Sequence, residues 1–432
     1  MLELDCGQEF DPARDEDFFA ALPPRSVVCL VEPRAAAAQP LLIRTQDLRR
    51  RIQRLLGPVD PASKRLNLRD FARGVRYRLT ASPFEQTLTY YLQARQLFPQ
   101  RYAKMMRIHP PSILKVSLRN AYPRCFVTRR IPVDSAGTPI HGAYYGPFAS
   151  RKFAQEFANG ALDFFKVRRC QIKIRRDPAF PGCLYSEMKM CLAPCFAGCS
   201  KEEYAAEVQR LVQFLDTGGN SLRSAIEQER ERASEDLDFE RAAAIHKRIE
   251  KLDAALRGQS ELARSINDID AVILQRAAGD QTIVAFAIRR GRLIEPCFIR
   301  FAEIAGQPRS AEQIFRDYLE PHEPEPRRAV GNPAASSGAK PTATAAANNA
   351  ASPAILPGDL GEHLFLLARW YYSNPREGEI FFHEKDWPYR RIMRACSRLL
   401  NPKSADAAAK PGTTTNRQEG TSDTEKGAEK GT

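Results

Sequence analysis

Four cysteines, Cys170, Cys183, Cys191 and Cys195, fall within 26 residues at the spacing C-x12-C-x7-C-x3-C. A segment that gathers four thiols must fold around whatever they hold, so it constrains the chain more than any other. The N-terminus, MLELDCGQEFDPARDEDFF, is acidic and lacks an apolar signal core, and no apolar run approaches the ~20 residues that span a bilayer. That pattern places the chain in the cytoplasm with no membrane partner, where grouped thiols hold a metal centre more often than disulfides. Tetrathiolate sites take zinc or an iron–sulfur cluster. Structural zinc favours close cysteine pairs at both ends of the site. Only the last pair is close here, which points to iron–sulfur, with structural zinc and unligated thiols as alternatives. Cys199 is a spare thiol, and Cys6, Cys29, Cys125, Cys297 and Cys396 are scattered.

The formal net charge is +13, and the basic excess lies in the first 180 residues. Arg49-Arg50-Arg51, Arg129-Arg130, Arg168-Arg169 and Arg175-Arg176 are examples. A basic half of this kind expects a polyanion, with nucleic acid the usual one. Solubility alone is the plain alternative.

Residues 20–105 read as a small α/β unit. Ser26–Val31 and Leu41–Ile43 are short strands. Asp47 opens a basic helix, DLRRRIQRLL, with Leu48, Ile52, Leu55 and Leu56 on one face, and Gly57-Pro58 stop it. Phe84–Leu97 is a second helix. Strands at Ile113–Val116 and Cys125–Ile131 follow. HGAYYGPFAS (141–150) reads as a loop into a helix capped by Ser150. Ser200-Lys201-Glu202-Glu203 is a capping box that opens a helix to Leu215. Apolar runs Ile269–Leu274, Ile283–Ile288 and Leu293–Phe301 have strand length, with Arg290-Gly291-Arg292 as a turn. Residues 322–358, rich in Pro, Ala, Ser and Asn, read as a flexible insert, and 401–432 as a disordered tail.

Between Leu222 and Leu256 lie two helical arms around Asp236–Asp238. On the second arm Phe239, Ala242, Ala243, Ile249 and Leu252 recur at helical spacing, with His246 among them. A two-helix hairpin cannot bury such a face alone, so it expects another domain, a dimer mate or a second protein. An ordinary core hairpin is the alternative.

The string ASEDLDFERAAAIHKRI resembles the UVR motif through Ala233, Ser234, Leu237, Phe239, Glu240, Ala242, Ala243 and Ile249, with His246-Lys247 in place of Arg-Asp. YYGPFAS (144–150), CLYSEMKMCLAPC (183–195) and SKEEYAAEVQRLVQFLDTG resemble the UvrC family, so the likeness covers about residues 140–257. It implies a [4Fe–4S] cluster on Cys170, Cys183, Cys191 and Cys195. It also implies UvrB contact through Leu237, Phe239, Ala242, Ala243, His246 and Ile249. Double-stranded DNA is then the expected polyanion, held by Arg44, Arg49, Arg50, Arg51, Arg168, Arg169, Arg175 and Arg176.

Residues 1–105 stand where UvrC carries its GIY-YIG nuclease. Val28 and Leu41 occupy the places of the two tyrosines, Arg44 that of the lysine, and Arg51 keeps the arginine. Tyr90 stands for the glutamate that holds the metal. A hard cation wants carboxylate oxygen, and Val28 and Leu41 move no protons. Glu85 lies five residues before Tyr90, about 140° away around a helix, and is not expected to rescue the site. Residues 266–321 and 359–400 resemble part of UvrC's RNase H-like nuclease, with Asp268 and Asp270 as surface residues. The family's Asp–Asp–His site and helix-hairpin-helix module are not recognisable.

The expected architecture is an α/β multidomain chain. It comprises a degenerate GIY-YIG-like α/β domain (1–105), a connecting α/β segment (106–165), the cysteine-rich cluster region (166–200), a helix (201–221) and the α-helical UVR hairpin (222–257). A partial RNase H-like α/β fragment and the disordered tail complete it. The expected function is a UvrC-like nucleotide excision repair protein that binds DNA and UvrB without incision. A DNA endonuclease with a remodelled GIY-YIG site and an iron–sulfur redox-sensing DNA-binding protein are the alternatives.

Overall fold

Strands β1 (Cys6–Glu9), β2 (Val27–Pro33), β3 (Leu41–Thr45) and β4 (Ala72–Leu79) form an antiparallel sheet in the order β1–β4–β2–β3. The structure is a computed structural model that describes residues 2–59, 64–304, 306, 308–320 and 353–401. Residues 322–352 of the expected insert and the expected tail from 402 lie outside these. The central strand β2 buries five successive residues, Val27–Val31, because both of its faces are covered. Helices α1 (Asp15–Ala21) and α2 (Leu48–Leu56) cover one face, and α3 (Pro83–Leu97) covers the other. The side chain of Asp47 caps α2 by accepting the Arg50 N–H at 2.9 Å, as its sequence suggests. Strand β4, ARGVRYRL, gives no apolar alternation to read. Its Arg73 and Arg76 reach Glu32 on β2 at 2.9 and 2.8 Å.

After α4 (Tyr102–Met106), a second antiparallel sheet has β5 (Ser112–Val116), β6 (Cys125–Thr128), β7 (Ala143–Phe148) and β8 (Arg264–Ser265) in the order β6–β5–β7–β8. Here the expected loop 141–150 is corrected to a strand. Gly146-Pro147 reads as a turn signal, but the pair sits beside a register shift between Ser112 and Leu114, where a bulge absorbs it. Helices α5 (Arg151–Leu162), α6 (Leu184–Glu187), α7 (Lys201–Asp216), α8 (Asn220–Glu235) and α9 (Phe239–Leu256) follow. Leu114, Phe157, Tyr204, Phe214 and Ile249 share the core that α5, α7, α8 and α9 build against this sheet. Ser150 and Ser200 cap α5 and α7, the latter through the full Ser200/Glu203 box.

The third sheet contains β9 (Ala271–Arg276), β10 (Thr282–Arg289), β11 (Arg292–Leu293), β12 (Cys297–Arg300) and β13 (Glu379–Phe382). Its order is β11–β10–β9–β13, with β12 also on β10. The single strand expected over Leu293–Phe301 is broken around Pro296, so β11 and β12 run in series along one edge of β10. Helices α10 (Phe301–Ile304), α11 (Ala311–Leu319), α12 (Leu360–Tyr371) and α13 (Tyr389–Leu400) surround it. Residues 353–358 also depart from expectation. The Glu295 N–H donates to Ala354 O at 2.8 Å and the Leu356 N–H to Leu293 O at 3.0 Å, so the end of the expected insert is pinned to the sheet.

Helix α3 belongs to two cores. Its Ala94, Tyr90 and Leu97 meet Val28, Leu30 and Leu42 of the first sheet. Its Phe84, Leu88 and Tyr91 meet Ile273, Phe286, Leu364 and Trp370 around the third sheet and α12. Glu362 closes this joint. One carboxylate oxygen accepts from Tyr91 OH (2.7 Å), Arg95 Nη1 (2.7 Å) and the Asp359 N–H (3.1 Å), and the other from Tyr102 OH (2.6 Å). Burial alone would raise its pKa. The hydrogen bonds from Tyr102, Tyr91 and Asp359, with Arg95 alongside, outweigh burial and hold it below its ordinary 4.5. The neighbouring His363 is fully buried, accepts the Leu293 N–H on Nδ1 at 3.1 Å, and is pulled down to about 4 by burial. Among the described residues, no helix is long and apolar enough to cross a membrane.

Both groups have depressed folded-state pKa values, so their contributions are present at neutral pH and lost on acidification. Stability should fall from pH 6.5 towards 4 as the unfolded chain protonates His363, then further below 4.5 as Glu362 is neutralised. Chemical denaturation across this range checks the slope, and His363→Asn flattens the upper part. Glu362→Ala strands two phenols and a guanidinium, and should cost on the order of 3 kcal/mol at pH 7.

Candidate functional site

The four clustered cysteines sit on loops around α6. Cys183 is its N-cap residue, and Cys195 lies in a short 3-10 turn at Pro194–Phe196. Cys191 has the other three as electrostatic neighbours. The Cys191 thiol is pushed up to about 11, first by burial and then by Cys170, Cys195 and Cys183 as neighbours of like charge. The Ala193 N–H donates to Cys191 Sγ at 3.3 Å, and Arg168 Nη1 approaches Cys170 Sγ at 3.7 Å. Ala193 and Ala197 adopt left-handed φ values of 55° and 63°, which turns the backbone around Cys195. For non-glycine residues that conformation costs about 1–2 kcal/mol each. Among the described residues, no three Cys, His, Asp or Glu side chains form a group that could hold a metal ion. Burial raises the Cys191 and Cys195 thiols above their ordinary pKa, so a cation binding there must displace their protons.

Arg168 ties this loop region together. It is buried, and donates to Tyr122 O (3.0 Å), Cys170 O (3.1 Å) and Ile172 O (3.0 Å). Tyr204 on α7 accepts the Arg168 N–H at 3.1 Å and donates to Pro123 O at 2.7 Å. Arg168 therefore serves the fold and is not a free contact for DNA, which corrects the expectation from charge. Arg49 is corrected in the same way, since it donates to Leu22 O at 2.8 Å and Ala20 O at 2.9 Å. Arg169 pairs with Asp163 at 2.7 Å, and Arg176 donates to Cys199 O at 2.9 Å. Arg44, Arg50, Arg51 and Arg175 remain exposed, without a carboxylate partner among the described residues.

Val28 is fully buried against α3, and Leu41 is half-buried on β3. Arg44, Arg51 and Tyr90 do come together. They line a cleft of about 240 Å³ with Leu42, Ile43, Met105, Met106 and Arg369. The Arg44 guanidinium lies 5.6 Å from the centre of the Tyr90 ring. Among the described residues, no carboxylate lines this cleft. Glu85 lines a different one with Asp5, Cys6 and Arg78, and its Oε2 accepts the Ala81 N–H at 2.9 Å. Sequence reasoning missed Arg369, because nothing local to α12 announces a partner on β3. Asp268 is exposed, whereas Asp270 is half-buried and accepts the Arg290 N–H at 2.6 Å.

The apolar stripe of the α8–α9 hairpin divides. Ile245, Ile249 and Leu252 on α9, with Leu222, Ile226 and Ala233 on α8, enter the core around the second sheet. Ile249 is thus an anchor and not a contact surface. At the tip, Leu237 is 71% exposed and Phe239 69%. Ala243 and His246 lie on the outer face, with His246 Nε2 3.8 Å from Glu250, and Ala242 is half-buried. Leu237 takes φ 60°, and the Leu237 and Asp238 N–H groups donate to Ser234 O (3.1 Å) and Ala233 O (2.9 Å). This C-terminal closure of α8 pushes two large apolar side chains into solvent.

The second sheet, the loop that carries four cysteines and an anchored helical hairpin with an exposed apolar tip follow one another along the chain. The UvrC/Cho excinuclease middle-domain family matches residues 112–214, and the UvrB/uvrC motif matches residues 220–255. Over these segments the chain is UvrC-like. The UvrABC system protein C of Desulforudis audaxviator is 28% identical over 297 residues, 68% of this chain and 42% of the relative. That of Ruminiclostridium cellulolyticum is 30% identical over 187 residues, 43% of this chain and 29% of the relative. That of Gluconobacter oxydans is 37% identical over 158 residues, 36% of this chain and 24% of the relative. The chain thus spans less than half the length of these curated relatives. No solved structure matches it.

The two classes of arginine should separate by calorimetry. Arg168→Gln strips three carbonyls of a charged donor and should cost on the order of 3 kcal/mol. Arg175→Gln should leave the melting temperature unchanged.

Proposed function

We propose that this chain is a UvrC-like component of bacterial nucleotide excision repair that docks on DNA and on UvrB and does not cut. The observation that carries the reading is the exposed Leu237–Phe239 tip on a hairpin whose base is locked into a core. Rigid support lowers the entropy lost on docking, and an exposed aromatic at the end of such a support is a natural hot spot. Leu237, Phe239, Ala243 and His246 form the contact face, with Ala242 at its edge and Ile249 holding it from behind. The match of residues 220–255 to the UvrB/uvrC motif supports UvrB as the partner.

The first sheet with α2 and α3 is read as a GIY-YIG-like domain, and the third sheet as part of an RNase H-like one. In the first, the cleft that gathers Arg44, Arg51 and Tyr90 offers guanidiniums and a phenol in place of a metal-binding carboxylate. It suits phosphate and does not suit a divalent cation. Cys170, Cys183, Cys191 and Cys195 are read as ligands of a [4Fe–4S] cluster, which when bound would cross-link the loop from Val167 to Cys199. The exposed Lys173 and Arg175 on that loop then face the DNA backbone as non-specific phosphate contacts.

With purified UvrB, Phe239→Ala should weaken binding roughly ten- to a hundredfold with unchanged melting, read by fluorescence anisotropy. Undiminished affinity would remove the docking assignment. Lesion-bearing duplex incubated with this protein, UvrA, UvrB, ATP and magnesium should be shifted on a gel but not nicked. A nick near the lesion would instead establish a remodelled nuclease. Cys191→Ser should abolish bound iron and its colour.

A further inference from the structure

The cleft between β3, α2 and α12 gathers three guanidiniums. Arg44 and Arg51 come from the body of the first sheet, and Arg369 from a helix packed on the third. None has a carboxylate partner among the described residues. Arg44 has only a long hydrogen bond to Thr87 Oγ1 at 3.5 Å and the face of Tyr90. Like charges in a shared cleft repel, and low-dielectric walls sharpen the repulsion. The Arg369 pKa is held below its usual value, first by partial burial and then by Arg44, so these two groups feel each other. Such a trio is unfavourable while empty and becomes favourable once an anion sits among the three.

The remaining lining identifies the anion. Leu42, Ile43, Met105 and Met106 are apolar, and Tyr90 adds an aromatic ring. Positive charge beside an apolar wall suits a phosphate that carries an organic substituent. A cleft of about 240 Å³ admits one phosphoryl group and part of what is attached to it. A duplex lies across a surface and cannot enter. Three cations match the second charge of a monoester, whose second pKa is about 6, better than the single charge of a backbone diester.

We propose that the Arg44–Arg51–Arg369 cleft is a metal-independent receptor for a terminal phosphate monoester, bridging the first and third sheets. A phosphorylated end of a nucleic acid strand and a free nucleoside monophosphate both carry this chemistry. The site rests on the charges of the cleft and not on the UvrB assignment. Its test contains no partner protein, so either reading can fail while the other stands.

The full chain is titrated, in EDTA, with AMP, with adenosine, and with one single-stranded oligonucleotide bearing either a 5′-phosphate or a 5′-hydroxyl. At least one phosphorylated probe should bind about tenfold or more tighter than its unphosphorylated counterpart, the margin expected of charge-assisted bidentate contacts. Preference confined to the oligonucleotide assigns the strand end, and preference confined to AMP assigns the nucleotide. Arg369→Gln, and separately Arg51→Gln, should erase the margin while inorganic phosphate loses its ability to compete. Equal binding of both members of each pair overturns the proposal, as does a margin that survives either substitution in a folded variant.

Discussion

One carboxylate, Glu362, decides how the two ends of this chain meet. It gathers two phenols, a guanidinium and a backbone N–H, and Tyr91, Tyr102 and Arg95 among these donors come from α3 and its successor α4. Removed from water, a carboxylate with fewer donors would be a liability. With four it becomes a geometric constraint, because each bond fixes a direction. Through it α12 lies against α3 in one arrangement, supported by the packing of Phe84 on Phe286 and Trp370. The position of Arg369 beside Arg44 and Arg51 depends on that arrangement, so a buried acid places an exposed basic cleft.

Charge is the property that the sequence states most loudly and discriminates least. Arg168 and Arg175 look equivalent in the string RRCQIKIRR, yet one is buried against three carbonyls and the other faces solvent. Arg49 and Arg51 are two residues apart on one helix, and only the first is tied to the end of α1. Tyr122 O, which accepts from Arg168, and Ala20 O and Leu22 O, which accept from Arg49, lie 27 to 46 positions away, and even the nearby Cys170 and Ile172 carbonyls are reached only because the loop folds back on Arg168. Arg369 likewise meets Arg44 and Arg51 only through the fold.

What could be read was local. Asp47, Ser150 and Ser200 each have a side-chain oxygen placed to meet an N–H three residues on, and each begins a helix. The hairpin arms and the turn at Arg290-Gly291 were legible for the same reason. Strand β7 was not, because its Gly-Pro pair signals a turn unless a bulge in β5 accommodates it. Strand β4 was hidden by arginines whose partners, Glu32 and Asp5, lie elsewhere in the chain. In the candidate site, the periodicity of α9 predicted an apolar stripe correctly. It could not say that Ile249 would turn inward and Phe239 outward, since that depends on where α5 and α7 stand.

The double role of α3 has a consequence for synthesis. Tyr91 and its partner Glu362 are separated by 271 positions. At about 5–20 residues per second, the ribosome takes roughly ten to fifty seconds to cover that distance. Throughout that interval the outer face of α3, with Phe84, Leu88 and Tyr91, waits for the last of its cover, Leu364 and Trp370 on α12. The chain must therefore hold a sticky, half-finished surface while the thiol loop and hairpin are still being made.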